Sequence, residues 1–219
     1  AQPTLAFEYA EGTTLALDGD PLPVESNGWW VDEAISTVPL PTLTAGEHLL
    51  ELVIPYSPRT NVEWCYLLGD FGVRLNGRHA KLIEPVCQLA PDDWTRQGLP
   101  FYTGNLTYHY QINVEAGSFA VRIPNFSGAM VGIRVDGRAC PGIAFEPYES
   151  CLGELSEGTH QLELTVFGNR FNAFGALHSS VKQSWAGPPA WRTTGDQWCY
   201  EYMLRPLGLQ TAPILLQTH

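Results

Sequence analysis

The side chains best suited to recognition chemistry lie in one irregular segment near the end of the chain, residues 173–197. Flat tryptophan faces pack against the C–H faces of pyranose rings, while arginine and histidine hydrogen-bond hydroxyl groups. A loop of this length in a compact domain is usually functional or disordered, and its tryptophan content argues against disorder. We therefore predict a weak glycan-binding site that comprises Trp185, Trp191, His178 and Arg192, with Trp94 and Tyr102 as neighbours.

Two alternatives accompany this prediction. Trp185 and Trp191 can instead fold the loop back onto its own sandwich, or face a neighbouring domain. The adjacent Trp29 and Trp30 form a second aromatic candidate, although strand alternation directs one of the two toward the core.

Catalytic motifs are absent from the sequence. There is no G-x-S-x-G elbow, no H-E-x-x-H pair, no P-loop and no G-x-G-x-x-G run. The acidic pairs Asp92–Asp93 and Glu146–Glu149 have the composition of glycoside-cleaving dyads, but acidic turns are much commoner than such dyads. We expect no catalytic residue in this chain, and a standalone hydrolase ranks third among the functions considered.

Neither the histidines nor the cysteines have the spacing of a metal site. The five cysteines are widely separated and lack C-x-x-C, which slightly favours a reducing, cytoplasmic compartment over a secreted one. His48 and His160 occupy equivalent positions in a repeat, so we expect structural roles for them. We expect no cofactor; the weaker alternative is a structural calcium ion held by hard oxygens from Asp18, Asp32, Asp136 and Glu149.

The overall charge excludes several partner classes. The 219 residues contain 23 acidic side chains against 12 Lys+Arg, a formal net charge of -11, and no two basic residues are adjacent. Nucleic acid and anionic membranes bind clustered positive charge, so neither is an expected partner. The apolar stretches are too short to span a bilayer.

Short apolar runs closed by turn residues dominate the chain and predict an all-β, antiparallel sandwich fold. The segments 49–54, 106–114, 119–123, 131–135 and 161–167 are rich in Val, Ile, Leu, Tyr and Thr. Asp-Gly pairs at 18–19 and 136–137 and the Asn-Gly pair at 76–77 predict hairpins. The 21 glycines and 17 prolines oppose long helices.

The strand pattern occurs twice, which predicts two tandem sandwiches. Residues 46–54, G-E-H-L-L-E-L-V-I, return as 158–166, G-T-H-Q-L-E-L-T-V, and W-C-Y at 64–66 returns at 198–200. We predict a first, reduced or truncated sandwich over 1–93 and a second over 94–219. The two W-C-Y segments are expected to begin aromatic closing strands, over 64–73 and 198–209, with Cys65 and Cys199 as buried thiols.

Several motifs in the second copy together carry a resemblance to a known group of proteins. They are Q-G-L-P-F-Y-T-G-N-L-T-Y at 97–108, V-D-G-R at 135–138, F-E-P-Y at 145–148, L-x-x-G-x-H-x-L-E-L at 155–164, G-N-R-F-N-A-F-G-A-L-H at 168–178 and W-C-Y-E-Y-M-L-R-P-L-G-L at 198–209. Because these motifs occur in this order, the chain resembles the non-catalytic, galactose-binding-like β-sandwich modules of large bacterial glycoside hydrolases. The likeness covers most of residues 94–209.

The resemblance implies a jelly-roll accessory domain of a bacterial enzyme. Members of this group either bind glycans at loop ends or pack against a catalytic domain in the same polypeptide. The leading expectation is therefore a carbohydrate-binding or accessory module, and the alternative is a purely structural sandwich that binds no ligand.

Overall fold

The computed structural model describes residues 2–8, 11–58, 60, 64–181 and 195–218. Its regular structure is almost entirely antiparallel β-strand, which confirms the predicted fold class. Within the described residues, helix is limited to a 3-10 turn, Trp94–Arg96, and one short α-helix, α1, Phe171–Phe174. Neither helical segment is long and apolar enough to cross a membrane.

The chain forms two compact units, Ala1–Phe71 and Gly72–His219. The hairpin that follows Phe71 thus belongs by its contacts to the second unit. The domain boundary predicted between residues 93 and 94 stays a prediction.

The first unit contains two antiparallel sheets that enclose a small core. One sheet has the order β4-β5-β1-β7, formed by β1 Thr4–Phe7, β4 Gly28–Trp30, β5 Asp32–Pro39 and β7 Tyr66–Leu68. The other has the order β3-β2-β6, formed by β2 Thr14–Leu17, β3 Asp20–Leu22 and β6 Leu50–Val53. Side chains from both sheets form the core, namely Leu5, Phe7, Leu15, Val38 and Leu40.

The second unit is a larger sandwich of the same type. A four-stranded sheet has the order β10-β16-β13-β14, with β10 Leu106–Val114, β13 Met130–Val135, β14 Arg138–Ile143 and β16 Gly158–Phe167. A three-stranded sheet has the order β15-β11-β18, with β11 Gly117–Arg122, β15 Glu149–Leu155 and β18 Ile214–Thr218. The remaining strands are the hairpin of β8 Gly72–Asn76 and β9 His79–Ile83, and the short pair of β12 Phe126–Ser127 and β17 Gly208–Leu209.

Alternation of side chains builds the core of the second unit. In β16, His160, Leu162, Leu164 and Val166 are buried, while the residues between them are exposed or half-buried. These apolar side chains pack with others from both sheets and from the segment around Trp94. The sequence segments with this alternation predicted the strands β10, β11, β13 and β16 correctly.

The predicted hairpin turns are also confirmed. Asp18-Gly19 and Asp136-Gly137 have positive φ at both residues, 54° and 87° in the first and 49° and 76° in the second. This is the conformation of a type I′ turn, in which glycine is strongly favoured at the second position. The third predicted turn lies in the β8–β9 hairpin, where Asn76 pairs with His79.

The two units share a strand topology. In the first unit, β1 pairs with β5 and β7; in the second, β11 pairs with β15 and β18. Likewise, β2 pairs with β3 and β6, and β13 pairs with β14 and β16. The duplication deduced from the sequence therefore has a structural counterpart, although β10 has no equivalent among the described strands of the first unit.

The prediction of an aromatic strand over 198–209 is wrong for residues 198–207. Of these residues, only Trp198 takes part in a β-bridge, with Ser179, and strand β17 begins at Gly208. The β11 edge that the W-C-Y repeat would occupy pairs with β18 instead. The expectation of buried thiols also fails, because Cys65 is exposed and Cys199 is only half-buried.

Candidate functional site

The sequence-predicted site falls only partly within the described structure. Trp185, Trp191 and Arg192 lie outside the described residues. His178, Trp94 and Tyr102 lie within them, all in the second unit, and each has a distinct environment.

Trp94 belongs to the core rather than to a ligand surface. Its side chain is 0% exposed, and its indole Nε1 is buried with no hydrogen-bond partner among the described residues. The ring packs edge-on against Tyr102, with 6.0 Å between ring centroids. Tyr102 itself is 40% exposed and donates its hydroxyl hydrogen to the Asn105 carbonyl at 2.9 Å. Trp94 therefore supports Tyr102, whose side chain stays partly exposed to solvent.

His178 follows α1, and a buried amide fixes this part of the chain. Asn172 is 0% exposed; its Nδ2 donates to the Arg205 carbonyl at 2.8 Å, and its Oδ1 accepts the Arg205 N–H at 2.9 Å. The first turn of α1 is held by Asn169, whose Oδ1 accepts the Phe171 N–H at 3.0 Å. Asn172 thus attaches α1 to the chain around Arg205, just before strand β17.

Main-chain hydrogen bonds place residues 197–203 beside residues 177–180. Cys199 N donates to the His178 carbonyl at 2.9 Å, and Met203 N donates to the Leu177 carbonyl at 2.7 Å. The His178 Nδ1 lies 3.1 Å from the Cys199 carbonyl. Because a carbonyl only accepts, Nδ1 carries a proton, which fixes the orientation of the imidazole ring.

Five rings at this place form a continuous surface array, which we call the aromatic row: Phe101, Tyr202, His178, Trp198 and Tyr200. Successive ring centroids are 5.1 Å, 4.8 Å, 4.6 Å and 6.3 Å apart. At its end the Arg78 guanidinium carbon lies 5.7 Å from the centroid of Tyr200, which is 62% exposed. The row thus combines packed ring contacts, which hold it in place, with exposed ring surface.

A cavity of about 700 Å³ adjoins the row at Tyr202. Its walls come from the β8–β9 hairpin, the 3-10 turn and the segment 202–206. The polar side chains that line it are those of Arg74, Asp93, Thr95, Arg96, Gln97 and Tyr202. We call this cavity the arginine cleft, because two of its lining side chains are guanidinium groups.

Asp93 stabilises the main chain that lines the arginine cleft. Its Oδ1 accepts three hydrogen bonds, from Thr95 N at 3.0 Å, Thr95 Oγ1 at 2.8 Å and Leu207 N at 3.1 Å. The carboxylate therefore caps the 3-10 turn and joins it to the chain just before β17. Its role is structural, as is that of Gln97, whose Oε1 accepts the Ala90 N–H at 2.8 Å and whose Nε2 donates to the Ala90 carbonyl at 3.1 Å. Arg74 and Arg96 also line the cavity.

The repeated histidines form the same structure in each unit, which we call the Asp–His clasp. In the first, His48 Nδ1 lies 2.7 Å from Asp18 Oδ2, and His48 Nε2 lies 3.0 Å from the Thr44 carbonyl. In the second, His160 Nδ1 lies 2.6 Å from Asp136 Oδ2, and Nε2 lies 3.0 Å from the Ser156 carbonyl. Each aspartate also accepts, through Oδ1, the N–H of the residue after the histidine, at 2.8 Å.

The clasp favours the charged form of both partners. Both histidine nitrogens face acceptors, so only the imidazolium donates to both. The aspartate hydrogen bond, and then the backbone carbonyl, raise the pKa of His48 and His160 from the ordinary 6.5. The histidine hydrogen bond, and then the backbone N–H, lower the pKa of Asp18 and Asp136 from 3.8. These histidines therefore join a hairpin turn to a strand, as their repeat positions predicted.

The four carboxylates considered for calcium are engaged separately. Asp18 and Asp136 belong to the two clasps, Asp32 Oδ1 accepts the Ala34 N–H at 2.9 Å, and Glu149 pairs with Arg122 at 2.6 Å. Among the described residues, no group of three or more His, Cys, Asp or Glu side chains is arranged to hold a metal ion.

Sequence reasoning missed most of the aromatic row. Trp198 and Tyr200 were assigned to scaffold because W-C-Y occurs twice, and Tyr202 was included in the same predicted strand. The available signal was the alternation of aromatic and other residues in W-C-Y-E-Y at 198–202. Phe101 carried no signal, because its place beside Tyr202 depends on the tertiary fold.

Comparisons with known proteins give only distant structural likenesses. No family model and no curated sequence matches the chain. Among solved structures, it is similar to a GH2 beta-galacturonidase from Eisenbergiella tayi bound to galacturonate, with 23% identity, a TM-score of 0.34 and coverage of 53% of this chain and 21% of that one. It is also similar to a rhamnosidase from Novosphingobium sp. PP1Y, with 17% identity, a TM-score of 0.40 and coverage of 98% and 20%.

A third likeness is to a lectin of Pleurotus ostreatus in its apo form, at 11% identity and a TM-score of 0.28, covering 77% of this chain and 63% of the lectin. The chain thus spans about a fifth of the length of the two enzymes. These likenesses are to parts of large glycoside hydrolases and to a lectin, and at these TM-scores they assign no family.

Proposed function

We propose that this chain is a non-catalytic carbohydrate-binding module that binds glycans weakly through the aromatic row and the adjoining arginine cleft. The observation that carries the proposal is the row itself, in which five packed rings lead into a polar cavity of about 700 Å³. Such modules accompany glycoside hydrolases, so a catalytic domain in the same polypeptide is the proposed partner.

The chemistry of the row suits sugar rings. Sugars present flat C–H faces and a rim of hydroxyl groups, and each aromatic contact adds roughly 0.5–1.5 kcal/mol beyond burial by analogy with aromatic pairs. Two or three such contacts, together with hydrogen bonds from the cleft arginines, correspond to Kd values of roughly micromolar to millimolar. Packing of Tyr202 between Phe101 and His178 limits the rotamer entropy lost on binding.

The absence of catalysis is part of the proposal. Double-carboxylate glycoside cleavage needs an acid and a second carboxylate on opposite sides of the scissile bond. Asp93 is the one carboxylate among the residues that line the arginine cleft, and three hydrogen bonds hold its Oδ1. Turnover of aryl glycosides by the isolated chain would contradict this part.

Calorimetric titration and a glycan array test the binding. We expect Kd values of about 10 μM to 1 mM for at least one plant or host oligosaccharide, and a loss of about 3- to 10-fold in Tyr202→Ala, from one stacking contact. Phe145→Ala is the matched control, because Phe145 is 85% exposed and does not belong to the row.

The same titration distinguishes a binding site at the aromatic row from one at the loop 173–197. Trp185→Ala and Trp191→Ala test the two tryptophans that the sequence singled out. If these variants lose binding while Tyr202→Ala does not, the site lies at the loop and our placement is wrong. If no glycan binds the wild-type chain at millimolar concentration, the carbohydrate-binding proposal itself fails.

A second function, a purely structural sandwich that braces a catalytic domain, is favoured by Phe145. This ring stands 85% exposed in the F-E-P-Y segment, which follows strand β14. Packing of this ring against another domain would remove its apolar surface from water. This function predicts that Phe145→Ala weakens association with the catalytic domain, whereas Tyr202→Ala has no effect on any glycan.

A further inference from the structure

We propose that the arginine cleft makes the site selective for glycans that carry carboxylate groups, that is, for hexuronate-containing saccharides. This inference rests on the proposed function, since it names the class of sugar that the same site takes.

The first observation is the charge of the cleft. Arg74 and Arg96 line it together with a single acidic residue, Asp93, so its formal charge is positive within a chain of net charge -11. No described acidic side chain pairs with Arg74. The Arg96 Nε lies 3.9 Å from Asp93 Oδ2, beyond hydrogen-bond distance, and the Arg96 side chain is 84% exposed. Both guanidinium groups therefore have donors available for a ligand.

The second observation is the position of this charge beside an aromatic face. Tyr202 belongs both to the aromatic row and to the wall of the cleft. A sugar ring stacked on Tyr202 thus lies at the entrance to the two arginines. A hexuronate has a carboxylate at the edge of its ring, and the planar guanidinium fork matches a carboxylate in two parallel hydrogen bonds.

The third observation concerns the local concentration of basic residues. Residues 72–97 contain four of the 12 Lys+Arg side chains, Arg74, Arg78, Lys81 and Arg96, against three acidic ones, Glu84, Asp92 and Asp93, so the stretch is formally positive within a chain of net charge -11. Arg78 lies over Tyr200 at the far end of the row. A chain of uronate residues along the row would therefore meet the cleft arginines beside Tyr202 and Arg78 beside Tyr200.

The expected selectivity is modest because the arginines are solvated. Exposed ion pairs contribute little each, and salt screens them. We therefore expect about 3- to 10-fold tighter binding of a carboxylated glycan than of its uncharged equivalent in about 20 mM salt, and a smaller ratio in about 500 mM salt.

The test compares trigalacturonate with its fully methyl-esterified form, which has the same skeleton and no charge, by calorimetric titration of the full chain. We expect trigalacturonate to bind about 3- to 10-fold more tightly. Arg74→Gln and Arg96→Gln should reduce this ratio, and the double variant should abolish it, with little effect on the esterified ligand. Arg134→Gln is the charge-matched control, since its guanidinium bonds the Gly137 carbonyl outside the cleft.

The outcomes distinguish the inference from the function on which it rests. If the esterified and free forms bind equally, the selectivity is overturned and carbohydrate binding stands. If neither form nor neutral galactotriose binds at millimolar concentration, the hexuronate assignment is overturned, and carbohydrate binding fails with it only when no glycan of the array binds either. If trigalacturonate is preferred but the double arginine variant keeps the preference, the carboxylate is recognised elsewhere and the assignment to the cleft is wrong. Near-UV circular dichroism of each variant verifies that it is folded.

Discussion

The buried amide of Asn172 offers the sharpest test of how the site is held in place. Its side chain makes two hydrogen bonds to the main chain of Arg205, at 2.8 Å and 2.9 Å, and is 0% exposed. Asn172→Ala removes both bonds. At about 1 kcal/mol net for each bond, with a further contribution from the small cavity left behind, we expect a loss of about 2–3 kcal/mol.

Because Asn172 joins α1 to the segment that follows Tyr202, the loss of stability should affect the aromatic row. Hydrogen exchange followed by mass spectrometry reports local stability, and we expect faster exchange over residues 199–207. The melting transition of the second unit should fall by about 5–10 °C. Glycan affinity should fall as well, since the aromatic row loses one of its anchors.

The matched control is Asn169→Ala, which removes one exposed hydrogen bond to the Phe171 N–H. We expect it to cost less than about 1 kcal/mol. Asn172→Asp keeps the acceptor but sets a second oxygen against the Arg205 carbonyl, so it should not restore stability. If Asn172→Ala behaves like Asn169→Ala in exchange and melting, the amide does not hold the segment and the reasoning is refuted.

Three further predictions concern the scaffold. Because the pKa of each clasp histidine is raised in the folded state, the clasp stabilises the fold fully below about pH 6.5, and this stabilisation is lost as the pH rises through the folded-state histidine pKa. Because the pKa of each aspartate is lowered, the clasp keeps its stabilising effect as the pH falls to about 3.8. Urea midpoints of the wild type should therefore decline as the pH rises above about 6.5, and those of a His48→Gln/His160→Gln double variant should decline less. An equal decline in both would exclude the clasps as the cause. Gly208→Ala should destabilise the second unit by about 1–3 kcal/mol, because φ is +107° and a Cβ would lie 3.0 Å from the Tyr108 hydroxyl oxygen; an unchanged melting temperature would contradict this. Thiol labelling of the native chain with a disulfide reagent should modify the exposed Cys65 faster than Cys199, whose thiol pKa is raised by burial; equal rates would show that both are equally accessible.

The fold was largely predictable because its signals are local. The alternation of apolar and polar residues at Tyr108–Val114 and Gln161–Phe167 indicates which side chains face the core, and the Asp-Gly pairs predict the hairpin type. The clasp was foreseen only as a structural histidine. Its aspartate partner lies at the hairpin turn, 30 residues earlier in the first unit and 24 residues earlier in the second, so no local pattern connects the two.

The site was less predictable for a physical reason. Aromatic side chains serve equally well in a core and on a ligand surface, so Trp94, which is fully buried, and Tyr200, which is exposed, cannot be distinguished by residue type. The choice depends on which strand pairs with which edge. His178 was identified because it stands in an irregular segment, whereas Phe101 reaches the row only through the tertiary fold.

The repeated W-C-Y segment shows how one sandwich can gain a surface that its duplicate lacks. In the first unit, Tyr66–Leu68 pairs with the β1 edge and so becomes part of the sheet. In the second unit the corresponding edge, that of β11, pairs with β18. Residues 198–207 are then excluded from the sheet, and their aromatic side chains pack on one another and on His178. A similar sequence thus lies in a sheet in one unit and outside the sheets in the other, because a different strand occupies the equivalent sheet edge.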